Sequence, residues 1–145
     1  MIYESLLLTS LMEFLRRASQ VLLGVALIYA GISHLTFSRT EFQAQVPTWL
    51  PLDEDFVVLA SGVVEIGLGL SLALLWRYRT QIGWATALFF VLIFPGNISQ
   101  YVNGIDAFGL NTDQERLVRL FFQPVLLAWA LWSTGAWREY RGKNS

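Results

Sequence analysis

The residues of this chain best placed to do chemistry are polar groups set inside long apolar stretches: His34, Glu65, Asn97, Arg119 and Gln123. Glu65 is the most demanding of them. It is the one charge in the 21-residue run from Phe56 to Trp76, FVVLASGVVEIGLGLSLALLW. A run of that length matches the ~20 residues an α-helix needs to cross a hydrocarbon core ~30 Å thick. At ~1.5 Å per residue Glu65 lies about 13 Å deep, close to the bilayer midplane. An ionisable group there costs roughly 2.5–3.5 kcal/mol on insertion scales. Ser61, Gly62 and Gly69 fall on its own helical face, and small residues let another helix approach closely. Glu65 is therefore expected to point into a helix bundle. A carboxyl in that position can take up a proton or can serve as a structural anchor bonded to a neighbouring helix.

The other candidates carry two readings each. His34 can attract an anion or cap the end of its helix. Arg119 can neutralise Glu65 or snorkel to headgroups. Asn97 can meet a ligand or repair the backbone broken by Pro95, which has no N–H to donate. Arg119 and Gln123 lie four apart on one helical face, as do Asn97 and Tyr101, with Gln100 between them at the third position. With no cysteine, thiolate nucleophiles, disulfides, Fe–S clusters and Cys-based zinc sites are excluded. A single histidine excludes bis-His haem ligation within one chain. No metal site and no self-sufficient catalytic set is expected, and a net charge of −1 without a basic stripe argues against nucleic acid as a partner.

The elements that must position these residues are hydrophobic spans. The 145 residues are 54% hydrophobic and only 14% charged, where soluble domains run near 25% charged. Residues 1–17 form an amphipathic lead-in at the membrane interface, since the basic residues follow the apolar run where a signal peptide would have them in front. Span one covers Ala18 to Leu35, with Gly24, Gly31 and His34 on one face and Ala26 and Ala30 as a second small pair for helix packing. The connection that follows holds a short interfacial helix over Ser38–Val46, then a turn at Pro47 and Pro51. Asp53, Glu54 and Asp55 suit the N-terminus of span two, which is the Phe56–Trp76 run. A short turn at Arg77 to Arg79 returns span three, Ile82 to Val102, beside it. Asn103-Gly104 stops that helix, and Asn111-Thr-Asp113 opens the next. Span four runs from Val118 to Trp137, kinked after Pro124 and ending in an aromatic belt of Trp129, Trp132, Trp137 and Tyr140. Residues 138–145 are a basic tail.

The expected fold is all-α: an integral membrane four-helix bundle, antiparallel and up-down-up-down. Arg16, Arg17, Arg77, Arg79, Arg138, Arg141 and Lys143 gather at one side, against Arg39, Arg116 and Arg119 at the other. The positive-inside rule then puts the protein in the cell membrane with both termini cytoplasmic and the two longer, acidic loops outside. Depth follows by arithmetic. His34 and Arg119 lie near the outer ends of their spans, Asn97 and Gln123 about 7 Å inward at ~1.5 Å per residue, and Glu65 deepest. All five belong to the outer half, so convergent faces would make a polar funnel open to the outside and ending at Glu65.

The residues Gly31-Ile-Ser-His34, Pro47-Thr-Trp-Leu-Pro51, Ser61-Gly62-Val-Val-Glu65-Ile-Gly67-Leu-Gly69, Phe94-Pro95-Gly96-Asn97-Ile98 and Arg119-Leu-Phe-Phe-Gln123-Pro124 occur in that order and spacing. In these the chain resembles the DoxX-like small membrane proteins, which are four-helix integral membrane proteins. The resemblance runs from Gly24 to Trp137 and leaves the first 17 residues outside it. It implies that the family's polar positions fall on His34, Glu65, Asn97, Arg119 and Gln123. The family takes its name from a subunit of a thiosulfate:quinone oxidoreductase; other relatives are tied to oxidative-stress complexes at the membrane, and distant animal relatives assist receptor assembly.

Two functions of different kinds follow. One is an accessory subunit of a membrane redox system, in which a quinone head or small sulfur anion enters the funnel. Arg119 and His34 would attract it, Glu65 would handle a proton, and a partner would supply the electron carrier that this chain lacks. The other is a non-enzymatic scaffold or assembly factor, in which the polar cluster fixes helix register. The partners then are the bilayer and a membrane protein or a second copy of the chain.

Overall fold

Apolar runs without an interior breaker become long helices, and most of this chain is built that way. The structure is a computed structural model describing residues 1–144; Ser145, the last residue of the expected basic tail, lies outside the described residues. It is 82% helical, with no strand among the described residues. The elements in order are α1 (Ile2–Leu35), α2 (Arg39–Gln45), α3 (Glu54–Leu74), a 3₁₀ turn (Trp76–Tyr78), α4 (Arg79–Val102), α5 (Asp113–Ser133) and α6 (Ala136–Lys143). Three stretches are long and apolar enough to cross a membrane: α1, α3, and the 3₁₀ turn with α4. A fourth qualifies only when α5 and α6 are taken together, because Asp113, Glu115, Arg116 and Arg119 crowd the start of α5.

The helix ends are capped as their sequences dictate. Asp53 precedes α3 and accepts a hydrogen bond from the Phe56 N–H (3.0 Å). Thr112 and Glu115 form a reciprocal capping box at the start of α5. The lead-in and span one are one uninterrupted helix of 34 residues. Glu13, Arg16 and Arg17 interrupt the hydrophobicity but are good helix formers, and neither glycine nor proline occurs before Gly24. Span four ends at Ser133, not Trp137, and runs through Pro124 without ending there. The chain turns by 69° between α5 and α6 at Gly135, whose φ of +73° is left-handed backbone that favours glycine. Residues expected as a basic tail thus belong to α6.

The helices pack as two pairs, α1 with α3 and α4 with α5. The first pair meets backbone to backbone. A Cβ on Gly24 would lie 2.7 Å from the Gly69 carbonyl oxygen, and one on Gly31 would lie 2.6 Å from that of Gly62. Gly24 therefore faces the later of the two α3 glycines and Gly31 the earlier. In the second pair Gly83 leaves room for the side chain of Thr134. Leu23, Leu27, Leu72, Phe89, Phe90 and Ala130 form the buried apolar cluster where the pairs meet. Trp129 of α5 locks this region, its Nε1–H donating to Ser19 Oγ of α1 (2.7 Å). Trp129 is thus a packing residue, inside the belt to which its sequence position assigns it. The outward faces are apolar as well: Val63, Val64, Leu70, Leu88, Leu92, Phe121, Phe122 and Val125 are all exposed. Exteriors of this kind suit a lipid environment.

The glycine contact gives a direct test. In Gly62→Leu the new side chain meets His34 Cβ and the Gly31 carbonyl, an overpacking that costs about 1–3 kcal/mol or more. The expected result is a clear drop in melting temperature in detergent, and a wild-type value would show that α1 and α3 do not meet along this face.

Candidate functional site

The two helix pairs enclose a cavity of about 410 Å³, and all five polar candidates line it: His34 from α1, Glu65 from α3, Asn97 from α4, and Arg119 and Gln123 from α5. That volume falls within the ~300–1,000 Å³ of ligand pockets. His34, Glu65, Asn97 and Gln123 are each no more than 6% exposed. The cavity does not end at Glu65, as a funnel would. It continues to an apolar floor of Leu23, Leu27, Phe90 and Leu126. Ala26 and Ala30, expected to pack a helix, instead line its wall; α1 turns Gly24 and Gly31 to α3, and the alanines lie on another face.

Side-chain chemistry at the centre is set by hydrogen bonds. The Ser61 hydroxyl donates to the Val58 carbonyl (2.9 Å), so its only proton is committed. His34 Nδ1 lies 3.1 Å from Ser61 Oγ, and the tautomer that carries its hydrogen on Nδ1 donates to that oxygen. Glu65 Oε2 lies 3.3 Å from the same Nδ1 but has no hydrogen-bond partner, so the contact is a close approach without hydrogen-bond alignment. His34 is accordingly more than a helix cap: its ring is held against the Glu65 carboxyl from across the helix pair.

The α4–α5 side is organised around the broken backbone of α4. Pro95 offers no N–H to the carbonyl of Val91. Gln123 crosses from α5, its Nε2 donating to the neighbouring Phe90 carbonyl (2.7 Å), while its Oε1 accepts from Asn97 Nδ2 (3.3 Å). The residue that bonds backbone beside the proline is therefore Gln123, and Asn97 holds Gln123 in place. Arg119 stands apart. It forms no ion pair with Glu65, and its Nη1 is buried without a hydrogen-bond partner. Neutralisation of Glu65 by Arg119 is thus replaced by the approach of His34.

The mouth is covered by α2 and the loop after it. Phe42 sits edge-on to the His34 ring and also packs on Phe108. Gln45 Nε2 donates to Gln100 Oε1 (2.7 Å), and Glu41 accepts from the Phe108 N–H (2.9 Å). Arg39 Nε and Gln43 Nε2 both donate to Asp55 Oδ1, at 2.6 and 2.7 Å; the Asp55 carboxylate holds the Arg39 guanidinium above its usual range. Several of these partners carry no sequence signal of their own. Gln45 lies in a short polar helix, and Gln20, fully buried and donating to the Leu72 carbonyl (2.8 Å), was detectable only as an uncharged polar residue inside a span. Gln100 was on the face with Asn97, yet it points to the loop, donating to the Ile105 and Ala107 carbonyls. Among the described residues no three metal-ligating side chains come together.

A family described as Domain of unknown function (DUF8561) matches residues 23–134. The chain belongs to this family. The matched stretch contains all five polar candidates and leaves out the part of α1 before Leu23. No curated protein and no solved structure matches the chain.

The hydrogen bonds distinguish two roles within the cavity. Gln123→Leu strips a bond from the Phe90 carbonyl and strands the Asn97 amide, so it should destabilise by about 1–3 kcal/mol. Arg119→Leu loses no hydrogen bond and should leave stability close to wild type. Denaturation in detergent reads both; equal effects would mean that the assigned partners are wrong.

Proposed function

We propose that this member of the family is a DoxX-like accessory subunit of a membrane redox system, with its intramembrane cavity as the binding site for a quinone head group or a small sulfur anion. The supporting observation is a pair of orphaned polar atoms in one cavity: Glu65 Oε2 and Arg119 Nη1 are both buried and both lack a hydrogen-bond partner. Buried polar groups are nearly always satisfied. A ligand with an oxygen for Arg119 and a group to bond Glu65 would satisfy both. A quinone fits that description when the Glu65 carboxyl is protonated: one carbonyl accepts from Arg119 and the other from the Glu65 O–H, and the apolar floor would accommodate the ring's hydrocarbon substituents.

A quinone bound there supplies a two-electron, two-proton couple to a redox partner protein. Arg119 donates to an oxygen of the ligand and favours negative charge on it. Glu65 holds or releases a proton, with the His34 Nδ1–H oriented beside it by Ser61. Phe42 and the α2 segment exclude water from above, and Leu23, Leu27 and Leu126 from below. In this reading the four spans run antiparallel, up-down-up-down, in the cell membrane, with both termini cytoplasmic and the α2 end outside. The arginines at the two ends support that orientation through the positive-inside rule.

A second reading as a scaffold has its own support. Asn97 and Gln123 satisfy each other and the backbone, which is what polar residues that only fix helix register would do.

Purification in mild detergent followed by native mass spectrometry separates the two. The expected result is a quinone-like or anionic small molecule on wild type that is lost from Glu65→Gln and Arg119→Gln. An empty wild type that carries a stoichiometric protein partner, unchanged in both variants, would sink the redox reading in favour of the scaffold. Orientation is tested separately on this cysteine-free chain. Asp106→Cys should react with a membrane-impermeant maleimide in intact cells, and Asn144→Cys only after lysis; the reverse pattern would invert the topology.

A further inference from the structure

At the opposite end of the molecule from the α2 roof, the bend at Gly135 opens a second recess, of about 720 Å³, between α5 and α6. Its inner wall is an apolar strip of α5: Pro124, Leu127, Ala128 and Leu131. Its rim has a different character, with Trp132, Trp137 and the guanidinium groups of Arg16, Arg138 and Arg141. None of the five polar candidates lines it, so it is separate from the cavity described above.

The charges at the rim are not balanced. Glu13 is the carboxylate that reaches them, 2.9 Å from Arg138 Nη1 and 3.6 Å from Arg16 Nη1. Glu139, also on α6, is turned to Lys143 (3.1 Å). Arg141 has no ion pair among the described residues. Arg16 is held over the Trp132 ring, 5.7 Å from its centroid, and its Nε and Nη1 are buried without a hydrogen-bond partner. Two guanidinium groups thus share one carboxylate, a third has none, and the most buried of the three has donors left over.

We propose that this recess binds one anionic phospholipid, its phosphate among Arg16, Arg138 and Arg141 and an acyl chain along Pro124, Leu127, Ala128 and Leu131. The nature of the occupant follows from the order of the surfaces. A cationic, tryptophan-bearing rim at the end of a spanning helix stands at headgroup depth, and the apolar strip descends from it along α5 toward the middle of the span. A free anion would use the rim but not the strip; a neutral lipid would use the strip but not the excess charge. The proposal rests on the chain spanning a membrane and is independent of any ligand in the Glu65 cavity.

The test is native mass spectrometry of the full chain in mild detergent, titrated with phosphatidylglycerol or with phosphatidylcholine of the same acyl chains, and with inorganic phosphate as competitor. The expected result is one retained phosphatidylglycerol, bound at least about tenfold more tightly than phosphatidylcholine, and not displaced by millimolar phosphate. Each arginine contributes about fivefold, so Arg141→Gln, an exposed change that leaves the packing alone, should weaken retention by about that factor, and Arg16→Gln by as much or more. Glu13→Gln should strengthen retention, because it releases Arg138 and Arg16 from their only carboxylate. Equal retention of the two lipids, displacement by phosphate, or no response to both Arg141→Gln and Glu13→Gln would overturn the proposal.

Discussion

The backbone contact between α1 and α3 is the constraint on which the rest depends. Gly24 against Gly69 and Gly31 against Gly62 bring two helices closer than any side chain would permit. Within a bilayer there is no hydrophobic force between helices, so dispersion contacts at this distance and polar contacts across the seam must hold them. That closeness has a chemical consequence. Gly62 sits against His34 Cβ, and only because it has no side chain can the imidazole stand within 3.3 Å of Glu65. The glycine seam and the polar centre are therefore one device: the first fixes a distance that the second uses.

The cavity exists because the second helix pair does not close on the first. α4 and α5 meet α1 and α3 near Ser19 and Trp129 and at the short turn before α4, and the space toward the α2 end is left to side chains. Several of these are polar groups that serve each other. Gln123 and Asn97 bond each other and the Phe90 carbonyl, and Ser61 lies against a histidine. Glu65 and Arg119 are different, because each presents an atom that no protein group answers.

Much of this architecture was legible in the sequence. Asp53 and Thr112 marked helix starts, and the shared face of Gly62, Glu65 and Gly69 pointed to a buried seam. Depth arithmetic also placed the five polar residues in one half of the bilayer, and they line one cavity. What was not legible depended on rotation and partner choice, which spacing along one helix does not encode. Arg119 and His34 were both candidates to meet Glu65, and only the docking of α1 on α3 decides for His34. Asn97 and Gln123 could each have bonded backbone near Pro95; the reach across from α5 selects Gln123. A boundary was missed where hydropathy and helicity part company: the apolar residues after Ser133 concealed the turn at Gly135.

The uninterrupted course of α1 has a mechanical meaning. At ~1.5 Å per residue its 34 residues extend about 51 Å, well beyond a ~30 Å hydrocarbon core. The same rod carries an exposed apolar end (Leu7, Leu11 and Phe14 among it) and, near its other end, His34. No glycine hinge, proline or loop lies between the N-terminal segment and Gly24. A push or tilt applied to that segment is therefore not absorbed locally. The rod is held between its ends by Ser19 on Trp129 and Glu13 on Arg138, so one rigid element links those contacts to the glycine seam and the imidazole beside Glu65.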